Sequence, residues 1–321
     1  MSLNVPYRPV VFLMGPTAAG KTDLALRLCD EFPFEIISVD SALIYRHLNI
    51  GSAKPTPAML RRQAHHLVDI REPYETYSAA DFRVDALKHI DAVHARQKIP
   101  LLVGGTGLYF RTLENGIAEM PEASEEVRIK LQAEHAEFGS RQMHDRLTQI
   151  DSASAERIHP NDPQRILRAL EIYAITGKTM TAFLAEQNRT PMPFPALKLV
   201  YAPSDRKDLH ARIALRFQQM LSEGFINEVS RLKRDQRLST DKPALRAVGY
   251  RAVWQFLDGN LDREQMVHEA VVATRRLAKR QFTWFRSESS ALWVDSLDSD
   301  AFKCVLSAIN EKTFSRQIDY N

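Results

Sequence analysis

The sequence predicts an α/β fold of the P-loop NTPase-like kind: a mostly parallel sheet with helices on both faces, plus an inserted all-helical domain. Three observations carry that expectation. The stretch FLMGPTAAGKT, residues 12–22, sets Gly15 and Gly20 with four residues between them and follows at once with Lys21 and Thr22. Every fixed position of the GxxxxGK[ST] phosphate loop is thereby filled. Apolar runs then alternate with helical periodicity as far as residue 110, the pattern of parallel strands joined by crossover helices. From about 113 to 190 the periodicity is helical and polar, with no convincing strand. The expected divisions are a first part of the core at 1–112, an inserted helical domain at 113–190, a second part of the core at 191–310, and a polar tail at 311–321.

Taken in order, VVFLM at 10–14 reads as a buried strand and TDLALRLCDEF at 22–32 as the helix behind the loop. Glycines there let successive backbone N–H groups turn inward around phosphate oxygens. The helix N-terminus adds partial positive charge, Lys21 a full one, and the Thr22 hydroxyl suits Mg²⁺. Such a loop reads a di- or triphosphate and nothing of the rest of the ligand. EIISV at 35–39 is a β-branched strand that delivers Asp40 and Ser41 to its carboxyl end, the edge where doubly wound sheets place their chemistry. HHLVDI at 65–70 reads as a third strand, and residues 78–97 as a helix with Ser78 at the N-cap and Asp81 three residues on. IPLLVGGTGLYF at 99–110 is a further buried strand that breaks at Gly104 and Gly105.

Within the insertion, Asp162 caps a helix with Pro163 in its first position and Gly177 beyond its end. Its apolar face is Ile166, Leu167, Leu170 and Tyr173, with Arg165 and Arg168 on another. The Pro-rich TPMPFPA at 190–196 returns the chain to the sheet, which resumes in LKLVYAP at 197–203. The next helix carries Arg212 and Arg216 one turn apart. A long helix follows at 263–286, and ALWVD at 291–295 reads as the last strand. From 275 to 286 that helix has five basic residues and no acidic one, interleaved with Phe282, Trp284 and Phe285. A charge run is often a solvated helix face. Interleaved rings favour nucleic acid, because bases stack on them while cations hold phosphates.

Composition removes several classes. At 321 residues, 44% hydrophobic and 26% charged, the chain is an ordinary globular protein. Its two cysteines, Cys29 and Cys304, have no metal-ligand spacing, which excludes a disulfide scaffold and a zinc site. No signal peptide and no apolar stretch of membrane-spanning length is evident, so no membrane partner and a reducing, cytoplasmic compartment are expected. A net charge of +3 says little by itself; its distribution says more. A phosphate-loop NTPase needs an acid for Mg²⁺ and a group that orients water. Asp40 supplies the first and nothing obvious the second, since the strand end at 104–107 carries no carboxylate. A small-molecule kinase with the insertion as its lid stays open. Residue chemistry alone gives a phosphate-binding enzyme with a nucleic-acid surface and leaves its reaction undecided.

The blocks GPTAAGKT, SVDSALIYRHLNIGSAKP, VGGTGLYF, HPNDPQRILRALE, RAVGYR and AKRQFTWFR, running from residue 15 to 286, occur in the order found in bacterial tRNA dimethylallyltransferases, or isopentenyltransferases. The chain resembles that family over nearly its whole length. Many members read DSMQVY where this chain reads DSALIY, so Leu43 stands where a Gln is frequent. The resemblance implies transfer of a dimethylallyl group from dimethylallyl diphosphate to N6 of adenosine 37, beside the anticodon of tRNAs that read codons beginning with U. Diphosphate is released, Mg²⁺ assists and no ATP is needed.

By the same resemblance Gly15, Pro16, Thr17, Ala18, Ala19, Gly20, Lys21 and Thr22 cradle the diphosphate, with Arg212 and Arg216 as further partners and Thr22 toward Mg²⁺. Asp40 is the general base, and Lys21 and Thr22 share the catalytic role. Asp40, Ser41, Ala42, Leu43 and Thr106 line the channel that receives the base. Three segments are implied to face tRNA. They are Gln164, Arg165, Ile166, Leu167 and Arg168; Arg246, Ala247, Val248, Gly249, Tyr250 and Arg251; and Ala278, Lys279, Arg280, Gln281, Phe282, Thr283, Trp284 and Phe285, with Arg128 beside them. A monomeric, cytoplasmic, bacterial enzyme is expected.

Overall fold

The computed structural model describes residues 8–117, 120–122, 124–186 and 190–314; residues 315–321 of the expected polar tail lie outside them. The strands are β1 (Val10–Met14), β2 (Phe34–Val39), β3 (His65–His66), β4 (Ile99–Gly104), β5 (Ala196–Ala202) and β6 (Leu292–Asp295). They form one sheet in the order β3-β2-β4-β1-β5-β6, and every pairing is parallel. β1 and β2 are buried along their whole length, as parallel strands covered on both faces must be. The register matters most at the carboxyl ends. Met14 and Val39 both pair with Gly104, so the chain segments that begin at Gly15, Asp40 and Gly105 leave the sheet side by side.

The helices follow in order: α1 (Lys21–Glu31), α2 (Pro57–Arg62), α3 (Ala79–Ala95) and α4 (Gly107–Asn115) belong to the first half of the core. The insertion holds α5 (Glu125–Ile150), α6 (Ser152–Arg157), α7 (Pro163–Thr176) and α8 (Met180–Ala185). α9 (Arg206–Ser222), α10 (Phe225–Lys233), α11 (Tyr250–Leu257), α12 (Arg263–Phe285) and α13 (Ala301–Ile309) complete the chain. Alternate residues of each strand point to opposite faces. Val11, Leu13, Phe34, Ile36 and Leu101 pack with Leu24 and Leu28 of α1 and with Ala301 and Val305 of α13. On the other face Phe12, Met14, Ile37, Val39 and Leu102 pack with Phe82 and Ile90 of α3, Phe110 of α4, and buried residues of α9 to α12.

The caps read from sequence are formed. The Ser78 side chain accepts from the Asp81 backbone while Asp81 reaches back, and Asp162, Pro163 and Gly177 (φ 69°) bound α7. α5 is broken at Gly139 (φ 77°, ψ 167°). The strand expected over 65–70 is only His65–His66, because Leu67 (φ 62°) and Asp69 (φ 55°) are left-handed and end the extended backbone. The Asp69 and Ile70 amides instead bond to Leu43 and Ile44, bracing the segment that follows β2. Beneath that edge the buried Glu35 carboxylate is held by Arg96, His66 and Lys98, and the Arg96 hydrogen bonds are the main reason its pKa falls to about 2.

The chain forms two compact units: Asn115–Pro191, and the described residues on either side of it. The inserted unit has its own apolar core of Leu131, Met143, Leu147, Ile158, Ile166 and Leu170. Among the described residues no helix is long and apolar enough to cross a membrane.

Candidate active site

The phosphate loop leaves β1 where only glycine fits, since a Cβ at Gly15 would overlap the carbonyl oxygen of Tyr201 on β5. Ala18 (φ 64°) and Gly20 (φ 92°) then turn the backbone through left-handed conformations into α1. The Lys21 ammonium donates to the Pro16 carbonyl at 2.7 Å, across the loop. Burial pulls its pKa down to about 8; Asp40 opposes the shift and Arg216 adds to it. α9 brings Arg212 and Arg216 to the same place, four residues apart and hence on one helix face. Arg212 Nη2 lies 3.4 Å from where a Cβ on Gly20 would stand, and its Nη1 is buried without a hydrogen-bond partner among the described residues. Arg216 is also desolvated, which lowers its pKa against the pull of Asp40. Three cations therefore gather at the phosphate loop with one carboxylate nearby. The arrangement calls for a polyanion.

That carboxylate is at the end of β2. Asp40 Oδ1 accepts from the Ala42 amide at 2.8 Å and from the Leu43 amide at 3.4 Å, an Asx turn that orients the group. Its other oxygen accepts no hydrogen bond among the described residues, and no ion pair neutralises it there. The third strand end completes the arrangement. A Cβ on Gly104 would overlap the Val39 carbonyl; the Thr106 amide donates to that carbonyl at 3.2 Å, and Thr106 Oγ1 accepts from the Ser41 amide at 3.2 Å. Thr22 is half-buried in the first turn of α1, and its hydroxyl makes no hydrogen bond among the described residues. Those residues contain no group of three or more His, Cys, Asp or Glu that could hold a metal ion. The Thr22 hydroxyl is the group that could meet a Mg²⁺ ion brought in with a diphosphate.

The remaining expected residues divide by exposure. Gln164, Arg165, Arg246, Arg251, Lys279, Arg280 and Thr283 are exposed. Leu43, Leu167, Ala247 and Val248 are half-buried. Arg128 and Arg168 both bond to the buried Glu171, at 2.8 and 2.7 Å, so each already has an anionic partner. The reading of 278–285 as rings and cations together facing RNA needs correction. Ala278, Phe282 and Phe285 are buried in the core, and half-buried Trp284 lies against Gly107 with Arg111 over its ring at 4.9 Å. These rings are packing residues, because 278, 282 and 285 share the core-facing stripe of α12 while Arg276, Lys279 and Arg280 do not. Ile166 and Tyr250 are likewise fully buried and Gly249 is buried beside Phe225, so they offer no surface to a partner.

Two arrangements were not expected from the sequence, which offered Gln281 only as a residue facing tRNA. The buried Glu228 of α10 accepts from the Asn49, Ile50 and Gly51 amides at 3.0, 2.7 and 3.2 Å and from the Tyr250 hydroxyl at 2.7 Å, anchoring the segment after Asp40. Gln281 joins the phosphate loop to the end of β4, accepting from Thr17 N at 2.9 Å and donating to Gly105 O at 3.0 Å.

An all-parallel sheet with a complete phosphate loop, cations and an oriented carboxylate at its carboxyl edge defines a phosphate-loop α/β enzyme. The model of the IPP transferase family matches residues 43–288, and the chain belongs to that family of transferases. It is similar to the full-length tRNA isopentenylpyrophosphate transferase of Bacillus halodurans, with 33% identity over 98% of this chain and 99% of that one and a TM-score of 0.69. The tRNA delta(2)-isopentenylpyrophosphate transferase of Staphylococcus epidermidis is 30% identical over 95% and 100% of the two chains, with a TM-score of 0.67. A eukaryotic dimethylallyltransferase acting on tRNA is 25% identical, covers 97% of this chain and 78% of its own, and has a TM-score of 0.76.

Proposed function

We propose that this protein transfers the dimethylallyl group of dimethylallyl diphosphate to N6 of adenosine 37 in tRNAs that read codons beginning with U, acting as a cytoplasmic monomer. Family membership supports prenyl transfer, and the named activities of its structural neighbours support tRNA as acceptor. The observation that carries the mechanism is the gathering of Lys21, Arg212 and Arg216 at the phosphate loop beside Asp40.

As the adenine N6 bonds to C1 of the prenyl group, the C1–O bond breaks and negative charge grows on the departing diphosphate. Loop N–H groups and the three cations stabilise that charge more in the transition state than before it, which is what accelerates a reaction. The Thr22 hydroxyl is the group that would hold a Mg²⁺ ion here, and such an ion would supply further charge neutralisation. An exocyclic adenine amine is a weak nucleophile and must lose a proton as the bond forms. Asp40 accepts it at the oxygen its Asx turn leaves free, help worth ~10²–10⁴ in rate. The substrate base reaches the site swung out of its loop, at a smaller cost than a paired base would incur. Exposed Arg246, Arg251, Lys279 and Arg280, with Gln164 and Arg165 on the insertion, hold RNA phosphates.

The test is transfer of label from dimethylallyl diphosphate to unmodified tRNA with Mg²⁺, beside the same mixture containing labelled ATP. Label moving to tRNA from the prenyl donor alone supports the proposal. ATP turnover without prenyl transfer would replace it with a phosphate-loop kinase or NTPase. In the same assay Asp40→Asn is expected to lose ~10²-fold or more in kcat while binding tRNA within a few fold. An equal loss of both would remove Asp40 from the role of base.

A further inference from the structure

The amide of Gln281 stands between the two loops that the reaction has to hold in register. Its orientation is determined by its partners, because the Thr17 N–H can only donate and the Gly105 carbonyl can only accept. The side chain comes from a stretch of α12 fixed by the buried Ala278, Phe282 and Phe285, so it is anchored to the core. The glycines opposite record how closely α12 approaches. A Cβ at Gly105 would overlap Gln281 Nε2, and one at Gly107 would overlap the Trp284 ring.

From Gly105 the connection continues to Asp40. Thr106, the next residue, receives the Ser41 amide on its hydroxyl, and Asp40 Oδ1 receives the amides of Ala42 and Leu43. Backbone and hydrogen bonds thus run from the phosphate loop through the Gln281 amide to the turn that aims the Asp40 carboxylate. The exposed cations of α12 lie outside this chain, on the solvent side of the helix.

We propose that Gln281 is a positioning residue that sets the spacing between the leaving-group cradle and the Asp40 turn, and that it makes no contact with RNA. The kinetic part of this inference rests on the transfer reaction proposed above; the structural part does not. A prenyl carbon must sit between a departing oxygen and an incoming nitrogen, so an error of about 1 Å in that spacing is worth on the order of 10²-fold in rate. The Thr17 N–H is engaged by protein, and the loop is therefore held before any ligand arrives.

Two variants test this. Gln281→Met keeps the length of the side chain and makes neither hydrogen bond. Gly105→Ala drives the amide out from the other side, at a position whose backbone is not left-handed, with the new Cβ also 3.3 Å from the Gly15 carbonyl oxygen. Amide hydrogen exchange in the free protein is expected to speed up at Thr17 and Ser41 by about tenfold or more in both, with the core helices unchanged. At saturating substrates kcat is expected to fall about tenfold or more, with KM for tRNA within about twofold of wild type. A raised tRNA KM with unchanged kcat would make Gln281 an RNA contact and overturn the proposal. Unchanged exchange at Thr17 would overturn it as well. Faster exchange in a protein whose wild type transfers no prenyl group would leave the positioning role standing and remove the function proposed above.

Discussion

Lys21 is a cation that the fold holds against its preference. Burial takes its pKa from 10.5 to about 8, so the unfolded chain binds a proton more tightly than the native one. The sign follows from linkage: this group alone disfavours the folded state below pH 8, and that disadvantage is relieved as pH rises from about 8 toward 10.5. A diphosphate reverses the balance by placing negative charge beside the ammonium, which raises the pKa again. Diphosphate binding is therefore expected to take up protons above pH 8 and to weaken as pH rises through that value. Calorimetry in buffers of different ionisation enthalpy measures the uptake, and Lys21→Met should abolish it; uptake that survives the substitution would assign the proton elsewhere. Lys21 and Asp40 were legible in the sequence because each belongs to a local motif at the end of an apolar strand. Glu228 was not, and Gln281 was singled out only by resemblance, as a residue facing tRNA, because their partners lie up to 179 and 264 residues away and nothing local marks either as a brace.

α12 shows what an element's sequence reveals and what it conceals. Its extent was evident from periodicity, and the role of its rings was misread from composition. Counting aromatic and basic residues together over 275–286 suggested a stacking surface, whereas their spacing separates them. Met266, Ala270, Ala278, Phe282 and Phe285 recur at helical intervals and are buried, while Arg276, Lys279 and Arg280 are exposed. The RNA contact proposed for the helix then rests on its cations alone. Reversing charge at Arg276 and Arg280 is expected to weaken tRNA binding and to lower the slope of log affinity against log salt by about one for each phosphate that is no longer neutralised. Filter binding across a salt series measures it. Affinity and slope both unchanged would reduce this stripe to a solvated helix face. β3 marks the opposite limit, where six residues of strand-like sequence give two residues of strand because left-handed backbone at Leu67 and Asp69 serves the neighbouring loop.

At the scale of the molecule the insertion is a second folding problem set into the first. Its presence was legible because a polar, strand-free stretch interrupts the strand–helix alternation. Its independence was not, since that depends on which apolar residues find one another. Leu131, Met143, Leu147, Ile166 and Leu170 form a core containing residues of the insertion alone, and no strand of the sheet comes from it. The chain leaves and re-enters the core at adjacent points, with Met192 N donating to Glu114 O at 2.8 Å. Closing that gap costs little, because loop-closure entropy grows only slowly with length and a short linker spans neighbouring ends. A chain in which residues 115–191 are replaced by a short Gly/Ser linker is therefore expected to unfold in one cooperative transition. It should keep the diphosphate-linked proton uptake of Lys21, since every residue gathered at the phosphate loop remains, and lose tRNA affinity, since the contacts proposed for Gln164 and Arg165 are gone. Denaturation and calorimetry on that one protein separate the outcomes. Loss of cooperative folding would mean that the sheet leans on the insertion for stability, and the two cores would have to be treated as one.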